Sequence, residues 1–370
     1  VTMDIYVAQG SYTEEVILSP GISVRGGYEA TNWTRNISGN TTTINAPLTF
    51  AVRGSTTIST TYTNTTWLEG FTINGPTATT SNANIAAIML ATSSPTIAYN
   101  TIGGGTTTST SAIVTGIDTG TGSALILGNL IIGSTGCGSG CSYIQGIYSN
   151  GSARIINNMI LGSPDGGGAG IKGITTQGGG AQAQILNNTI IGNSGDGTNV
   201  NGIQVENGST PIIRNNIIFN LTSAGVGFGT CISESGSTSD PTNVQNNNLF
   251  GCTTLYADAD NGCGGGSNCS IAQLNALGTG YSGNVGIPNT GSQLFVSING
   301  IDGNISTPAD NDWRLTTNGA ICDVRGGGFN LSGSFTADRD GITRTISAIA
   351  GCTPTNTGAT NWSIGAFERD

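Results

Sequence analysis

The sequence predicts an all-β fold: a right-handed parallel β-helix solenoid with rungs of about 29 residues. Three observations carry that prediction. A phrase built round an asparagine recurs through residues 70–251, two aliphatic columns keep step with it, and a Gly-Ile pair precedes most copies.

The phrase is an aliphatic residue, two variable residues, Asn, one residue, an aliphatic residue, one residue and Gly. It reads TIAYNTIGG from Thr96, LILGNLIIG from Leu125, RIINNMILG from Arg154, QILNNTIIG from Gln184, IIRNNIIFN from Ile212 and NVQNNNLFG from Asn243. Its anchors are Asn100, Asn129, Asn158, Asn188, Asn216 and Asn247, with Phe71 in that place in an earlier copy. The intervals are 29, 29, 29, 30, 28 and 31 residues. A fixed period in this range marks a solenoid, propeller or array. A propeller blade needs four antiparallel strands, which this length would strain. A leucine-rich horseshoe needs a Leu-x-x-Leu-x-Leu consensus and helical segments, and neither is present.

Ile97, Ile126, Ile155, Ile185, Ile213 and Val244 stand three residues before the anchors. Ile73, Ile102, Ile131, Ile160, Ile190, Ile218 and Leu249 stand two after them. These mostly β-branched residues favour strands. Their short apolar runs, bounded by Gly or Asn, are too brief for helices. The Gly-Ile step recurs at Gly116-Ile117, Gly146-Ile147, Gly173-Ile174 and Gly202-Ile203, with Ala87-Ile88 as its first version. Stacked rungs make the aliphatic columns an interior. They make the Asn column a structural ladder, each amide bonding the copies above and below. The Gly four places after the anchor, replaced by Asn220 in one copy, reads as a left-handed turn position.

The first 60 residues read as opening rungs, with strands around Asp4 to Val7, Glu15 to Leu18 and Ile22 to Arg25. No amphipathic helix closes that end, so its open core needs some other cover. Residues 1–251 form the expected solenoid. Residues 252–370 form a Cys- and Gly-rich loop, a short helix begun by Ser270 and stopped by Gly278, and an irregular cap and tail packed on the solenoid. Strands are expected within the tail at Gln293 to Val296 and at Trp313 to Leu315. Thr-rich tracts at 40–66 and 106–115 are local, and read as exposed strand faces or loops rather than an ice-binding array.

A net charge of −10 argues against nucleic acid as a partner. No run of 18 apolar residues exists that would cross a membrane as a helix. No signal peptide is recognisable, so the chain reads as a mature form or a fragment. Eight cysteines without a CxxC pair or any His read as disulfides in an oxidising, extracellular or cell-surface setting. Proximity suggests Cys137–Cys141, Cys263–Cys269, Cys231–Cys252 and Cys322–Cys352, out of about 105 connectivities.

The opening YVAQGSYTEEVILSPGISVRGGYEATNWTRN resembles the first rungs of secreted bacterial parallel β-helix surface proteins, related to the pectate-lyase-like superfamily. The ending, with Asp338, Asp340, Gly341, Arg344 and Gly365 to Glu368, resembles their choice-of-anchor-type closing segment. The resemblance implies a β-helix at the cell surface. It implies no particular activity, and the usual N-terminal cap segment is missing.

A catalytic site needs clustered side chains. Between residues 70 and 251 the carboxylates are Asp118, Asp165, Asp196, Glu206, Glu234 and Asp240, and no two share a column on adjacent rungs. The bases Arg154, Lys172 and Arg214 occupy three different columns, and no cluster is expected. No catalytic, cofactor or metal residue is therefore assigned. Asp258 and Asp260, Asp310 and Asp312, and Asp338 and Asp340 offer oxygen ligands that calcium would suit, but read first as turn and capping residues. Twelve N-glycosylation sequons occur, as a composition this rich in Asn, Ser and Thr produces by chance.

The function expected is a non-catalytic extracellular structural protein: a surface-layer, adhesin or filament subunit, self-associating end to end through its uncapped first rung. The alternatives are a calcium-assisted polysaccharide lyase acting on extracellular polysaccharide, and a glycan-binding adhesin without turnover. Tyr143 and Tyr148 are the best-placed rings for a sugar.

Overall fold

The computed structural model describes residues 3–54, 64–78, 84–108, 112–134, 136–137, 141–162, 170–180, 182–192, 200–220, 229–288, 294–298, 301 and 311–368. Three sheets of nine, nine and ten strands run side by side along the coil. Each turn visits them in the same order. One turn runs Ile85–Met89 in sheet III, Thr96–Ala98 in sheet I and Thr101–Gly103 in sheet II. The next runs Ile113–Asp118, Leu125–Leu127 and Leu130–Ile132. From Trp67–Glu69 to Asn243–Gln245, seven turns of roughly 29 residues follow one another.

All pairing between successive turns is parallel, and the register is that of the repeat. Ile126 lies beside Ile97 and Ile155 in sheet I, and Ile160 beside Ile131 and Ile190 in sheet II. In sheet III, Ile117, Ile147, Ile174, Ile203 and Ile232 continue one column. These side chains are fully buried in one continuous core. The Gly-Ile step is explained by crowding. A Cβ on Gly116 or Gly146 would lie 2.6 Å from the carbonyl oxygen of the next turn's glycine.

The turn from sheet I to sheet II carries the anchor. The left-handed residue there is the one before it: Tyr99 (φ 52°), Gly128 (65°), Asn157 (56°), Asn187 (52°), Asn215 (56°) and Asn246 (52°). This corrects the expectation for the glycine four places after the anchor. Gly251 is left-handed (φ 74°), but Gly75, Gly104 and Gly133 are not. At Gly75 the requirement is close approach, because a Cβ there would meet the Gly104 carbonyl group at 2.6 Å.

The ladder is continuous. Asn129 donates its backbone N–H (2.9 Å) and its Nδ2 (3.0 Å) to Asn158 Oδ1, and Nδ2 also donates to the Ile97 carbonyl (2.8 Å). Asn158, Asn188 and Asn216 repeat the pattern toward Asn188, Asn216 and Asn247. It extends beyond the repeat: Asn247 donates to Asn284 Oδ1, and Asn275 Oδ1 accepts from Asn284 Nδ2. At the other end, Phe71 N–H donates to Asn100 Oδ1. Every anchor is buried.

Parallel pairing also continues past residue 251, since Thr254–Ala257 adds to sheet III and Asn268–Cys269 folds back antiparallel to it. The helix Ile271–Ala276 follows, with Ser270 as N-cap and Gln273 completing a capping box. Disulfides join Cys231 to Cys252, Cys263 to Cys269 and Cys322 to Cys352. Cys141 is disulfide-bonded, while the Cys137 side chain falls outside the described residues.

The C-terminal segment is held by an outer asparagine row, the left-handed residues beside the anchors. Asn157 Nδ2 donates to the Ala337 carbonyl, Asn187 Nδ2 to those of Ser363 and Gly365, Asn215 Nδ2 to that of Phe329, and Asn246 Nδ2 to that of Gly327. Buried Arg344 joins Glu368, Asn157 and the Gly365 carbonyl. The same segment covers the outward side of sheet II, where Met159, Leu161, Ile191, Ile217, Phe219 and Phe250 pack against Phe295, Trp313, Val324, Ile364 and Phe367.

Replacing Asn158 by Ala strips partners from the Asn129 amide groups, the Ile126 carbonyl and Asn188 Oδ1. With about 1–3 kcal/mol for each buried group left unpaired, a loss of roughly 3–5 kcal/mol is expected. Urea unfolding of Asn158→Ala beside Ile160→Val, expected to lose about 1 kcal/mol, checks the ranking; equal losses would contradict it.

Candidate functional site

The outward face of sheet III gathers chemistry that the column count did not foresee. Outward positions alternate with the buried Ile column, so each Gly-Ile step is flanked by two of them. The residue before the Gly gives the row Thr115, Gln145, Lys172, Asn201. The residue after the Ile gives Asp118, Tyr148, Thr175, Gln204. Tyr143 stands beside Ile113. Glu206 follows the strand Asn201–Val205 and reaches back across the face. Of these, all but Asn201 and Gln204 line a groove of about 240 Å³. The expectation that nothing clusters is thereby corrected for Asp118, Lys172 and Glu206. Asp165 and Asp196 lie outside the described residues.

Lys172 is the only lysine in the chain. Its ammonium donates to Glu206 Oε1 at 2.8 Å and sits 4.2 Å from the centre of the Tyr143 ring. Both contacts fix a side chain that is itself buried. Tyr148 donates its hydroxyl to Gln177 Oε1. Burial raises the Tyr148 phenol, and the nearby charges of Asp118 and Glu206 add to the effect. Burial likewise raises the Asp118 carboxyl, against a hydrogen bond from Gly120 N–H (2.8 Å) to Asp118 Oδ1. Among the described residues lining the groove, two buried atoms have no hydrogen-bond partner: Gln145 Oε1 and Thr175 Oγ1. An unpaired buried polar atom costs about 1–3 kcal/mol, so a ligand that satisfies these atoms recovers part of that energy.

The other bases are elsewhere. Arg154 donates to the Ser334 carbonyl, and Arg214 lies against Phe329, so both hold the C-terminal segment. A second cleft, between residues 35–38 and 339–341 above Tyr99, contains Arg35 and Arg339. Arg35 is bonded to Glu69 and the Gly26 carbonyl.

Asp338 and Asp258 act as turn residues. Asp338 Oδ1 accepts the N–H groups of Asp340 and Ile342, and its Oδ2 accepts that of Glu368. Asp258 Oδ1 accepts the Asp260 N–H, and Asp312 pairs with Arg314. Asp258 stands near Cys263 and Cys269, but those sulfurs are joined in a disulfide and offer no thiolate to a metal. Asp310 falls outside the described residues. Among the sequons, Asn187 is buried and bonded to the C-terminal segment, which bars a glycan there.

Glu234 is a strongly perturbed carboxyl. Burial pushes it up to about 7, although the Tyr256 hydroxyl and the Ala259 N–H (3.0 Å) donate to it. No family model matches this chain, and neither a curated protein nor a solved structure matches it.

Because the Glu234 carboxyl is raised on folding, the folded state binds the proton more tightly than the unfolded chain. Stability is therefore lost as pH rises from 4.5 to about 7. The melting temperature should fall between about pH 5 and about pH 8, and Glu234→Gln should flatten much of that fall. A melting temperature that rises over the interval, in both proteins, would contradict this.

Proposed function

We propose that this chain is a glycan-binding rod of a secreted or surface-displayed protein, holding carbohydrate on the outward face of sheet III without turning it over. The observation that carries the reading is the groove itself. Tyr143 and Tyr148 present rings beside fixed polar groups and two buried atoms lacking partners. Sugar recognition draws on this combination, with rings against the C–H faces and fixed polar atoms for the hydroxyls.

The disulfides support an extracellular setting. The opening and closing segments, which resemble those of secreted parallel β-helix surface proteins, support display at the cell surface. Binding without turnover is favoured because Lys172, the base a lyase would need, is held by Glu206 and by the Tyr143 ring.

A glycan array on the purified protein, followed by calorimetry on the best ligand, tests the proposal. Tyr148→Ala should weaken binding about tenfold, or roughly 1.4 kcal/mol, and Tyr12→Ala, far from the groove, should not. Equal effects from the two, or no glycan bound at all, would sink it.

A further inference from the structure

We infer that the groove on sheet III selects neutral glycans and turns away uronate-rich and sulfated chains. This deepens the glycan-binding reading and rests on it.

The selection follows from an inventory of what the groove can offer. Gln145 Oε1 is an acceptor with no donor, and it is buried. Thr175 Oγ1, also buried, has no partner. Asp118 uses Oδ1 for the Gly120 N–H and keeps a second oxygen to offer. Glu206 uses Oε1 for Lys172 and likewise keeps a second oxygen. The Tyr148 hydroxyl gives its proton to Gln177, so it too meets a ligand as an acceptor. Among the described residues, the one cation lining the groove, Lys172, is already committed on two sides.

These acceptors call for hydrogen-bond donors, while the Thr175 hydroxyl and the side-chain amides of Gln145 and Gln177 can donate in return, so the groove suits a ligand that both donates and accepts and carries no negative charge. The hydroxyls of a neutral sugar are donors and carry no charge. A uronate carboxylate or a sulfate brings only acceptors, and brings them to two carboxylates against one cation. Specific recognition of such anions runs instead through uncommitted Arg or Lys side chains, and here Arg154 and Arg214 are turned to the C-terminal segment. Acidic polysaccharides are the chains on which a calcium-assisted lyase would act, so the inference also separates this groove from that chemistry.

The test compares hexasaccharides of equal length by calorimetry at low salt: cellohexaose, mannohexaose and xylohexaose against hexagalacturonate, each in EDTA and again in millimolar calcium. At least one neutral chain should bind ten times or more tightly than hexagalacturonate in both buffers. Hexagalacturonate binding as tightly as the best neutral chain, with or without calcium, would overturn the inference while leaving a glycan-binding groove in place. Failure of every chain, together with a blank glycan array, would remove the underlying reading as well. Glu206→Gln provides the second arm: it frees Lys172 from its ion pair, so the preference for neutral chains should fall about tenfold. An unchanged preference in a variant that melts like the parent would count against the inference.

Discussion

Each anchor asparagine closes a set of hydrogen bonds where water does not reach. From Asn129 onward its carbonyl oxygen takes two donors from the turn before, and its amide donates to that turn's backbone and to the next anchor's oxygen. A turn of about 29 residues must bend sharply between sheets I and II, and bending leaves backbone groups without strand partners. In the interior such groups are costly. The ladder answers every one of them with the same side chain in the same place, so the aliphatic columns can stack without a polar defect between them. The rest of the structure rests on this regularity. If the anchors drift out of register, the isoleucine columns no longer superimpose, and the outward face of sheet III no longer lines up Gln145 with Lys172 or Tyr148 with Thr175.

A second asparagine row turns the same corner to another use. Anchors from Asn158 onward are preceded by a left-handed asparagine, and four of these grip the C-terminal segment from outside. Where Tyr99 and Gly128 hold that position instead, the cleft above Tyr99 opens. The segment also resolves a conflict on sheet II. In the early turns the outward residues there are polar, such as Thr43, Asn45, Thr72 and Asn74. From Leu130 onward they are mostly Leu, Met, Ile and Phe, interrupted by Thr189 and Asn248, an apolar band that would be exposed unless something lay over it. One side of the rod is thus taken up by the protein's own tail. Sheet III keeps a polar outward face and carries the groove.

Much of this was legible in the chain. Period, strand columns, ladder and the capped helix at Ser270 each follow from side-chain chemistry repeated at fixed spacing, the kind of signal a sequence carries well. Three things were missed, for physical reasons. The Gly four positions after the anchor forms a visible column and draws the left-handed assignment to itself, whereas the residue before the anchor varies from Tyr99 to Gly128 to Asn157 and offers no such column. Asn284 is not legible because its turn has lost the period and places Gly286, not an aliphatic residue, two positions after it. The groove was missed because columns were counted from the anchor. Counted from the Gly-Ile step, the flanking positions read Thr, Gln, Lys, Asn and Asp, Tyr, Thr, Gln, which already looks unlike a bare strand face. Glu206 could not have been placed this way, since it lies beyond the strand and joins Lys172 only through the fold.

The central claim is that the anchors form one unbroken, water-free ladder. Amide hydrogen exchange measures this most directly, because the backbone N–H of Asn129, Asn158, Asn188 and Asn216 each donates to the next anchor's side chain. These four amides should fall in the slowest class of the protein, exchanging only with global unfolding. Exchange as fast as that of exposed turn amides such as Thr31 or Gly39 would show that the ladder is not closed, and the account would fail.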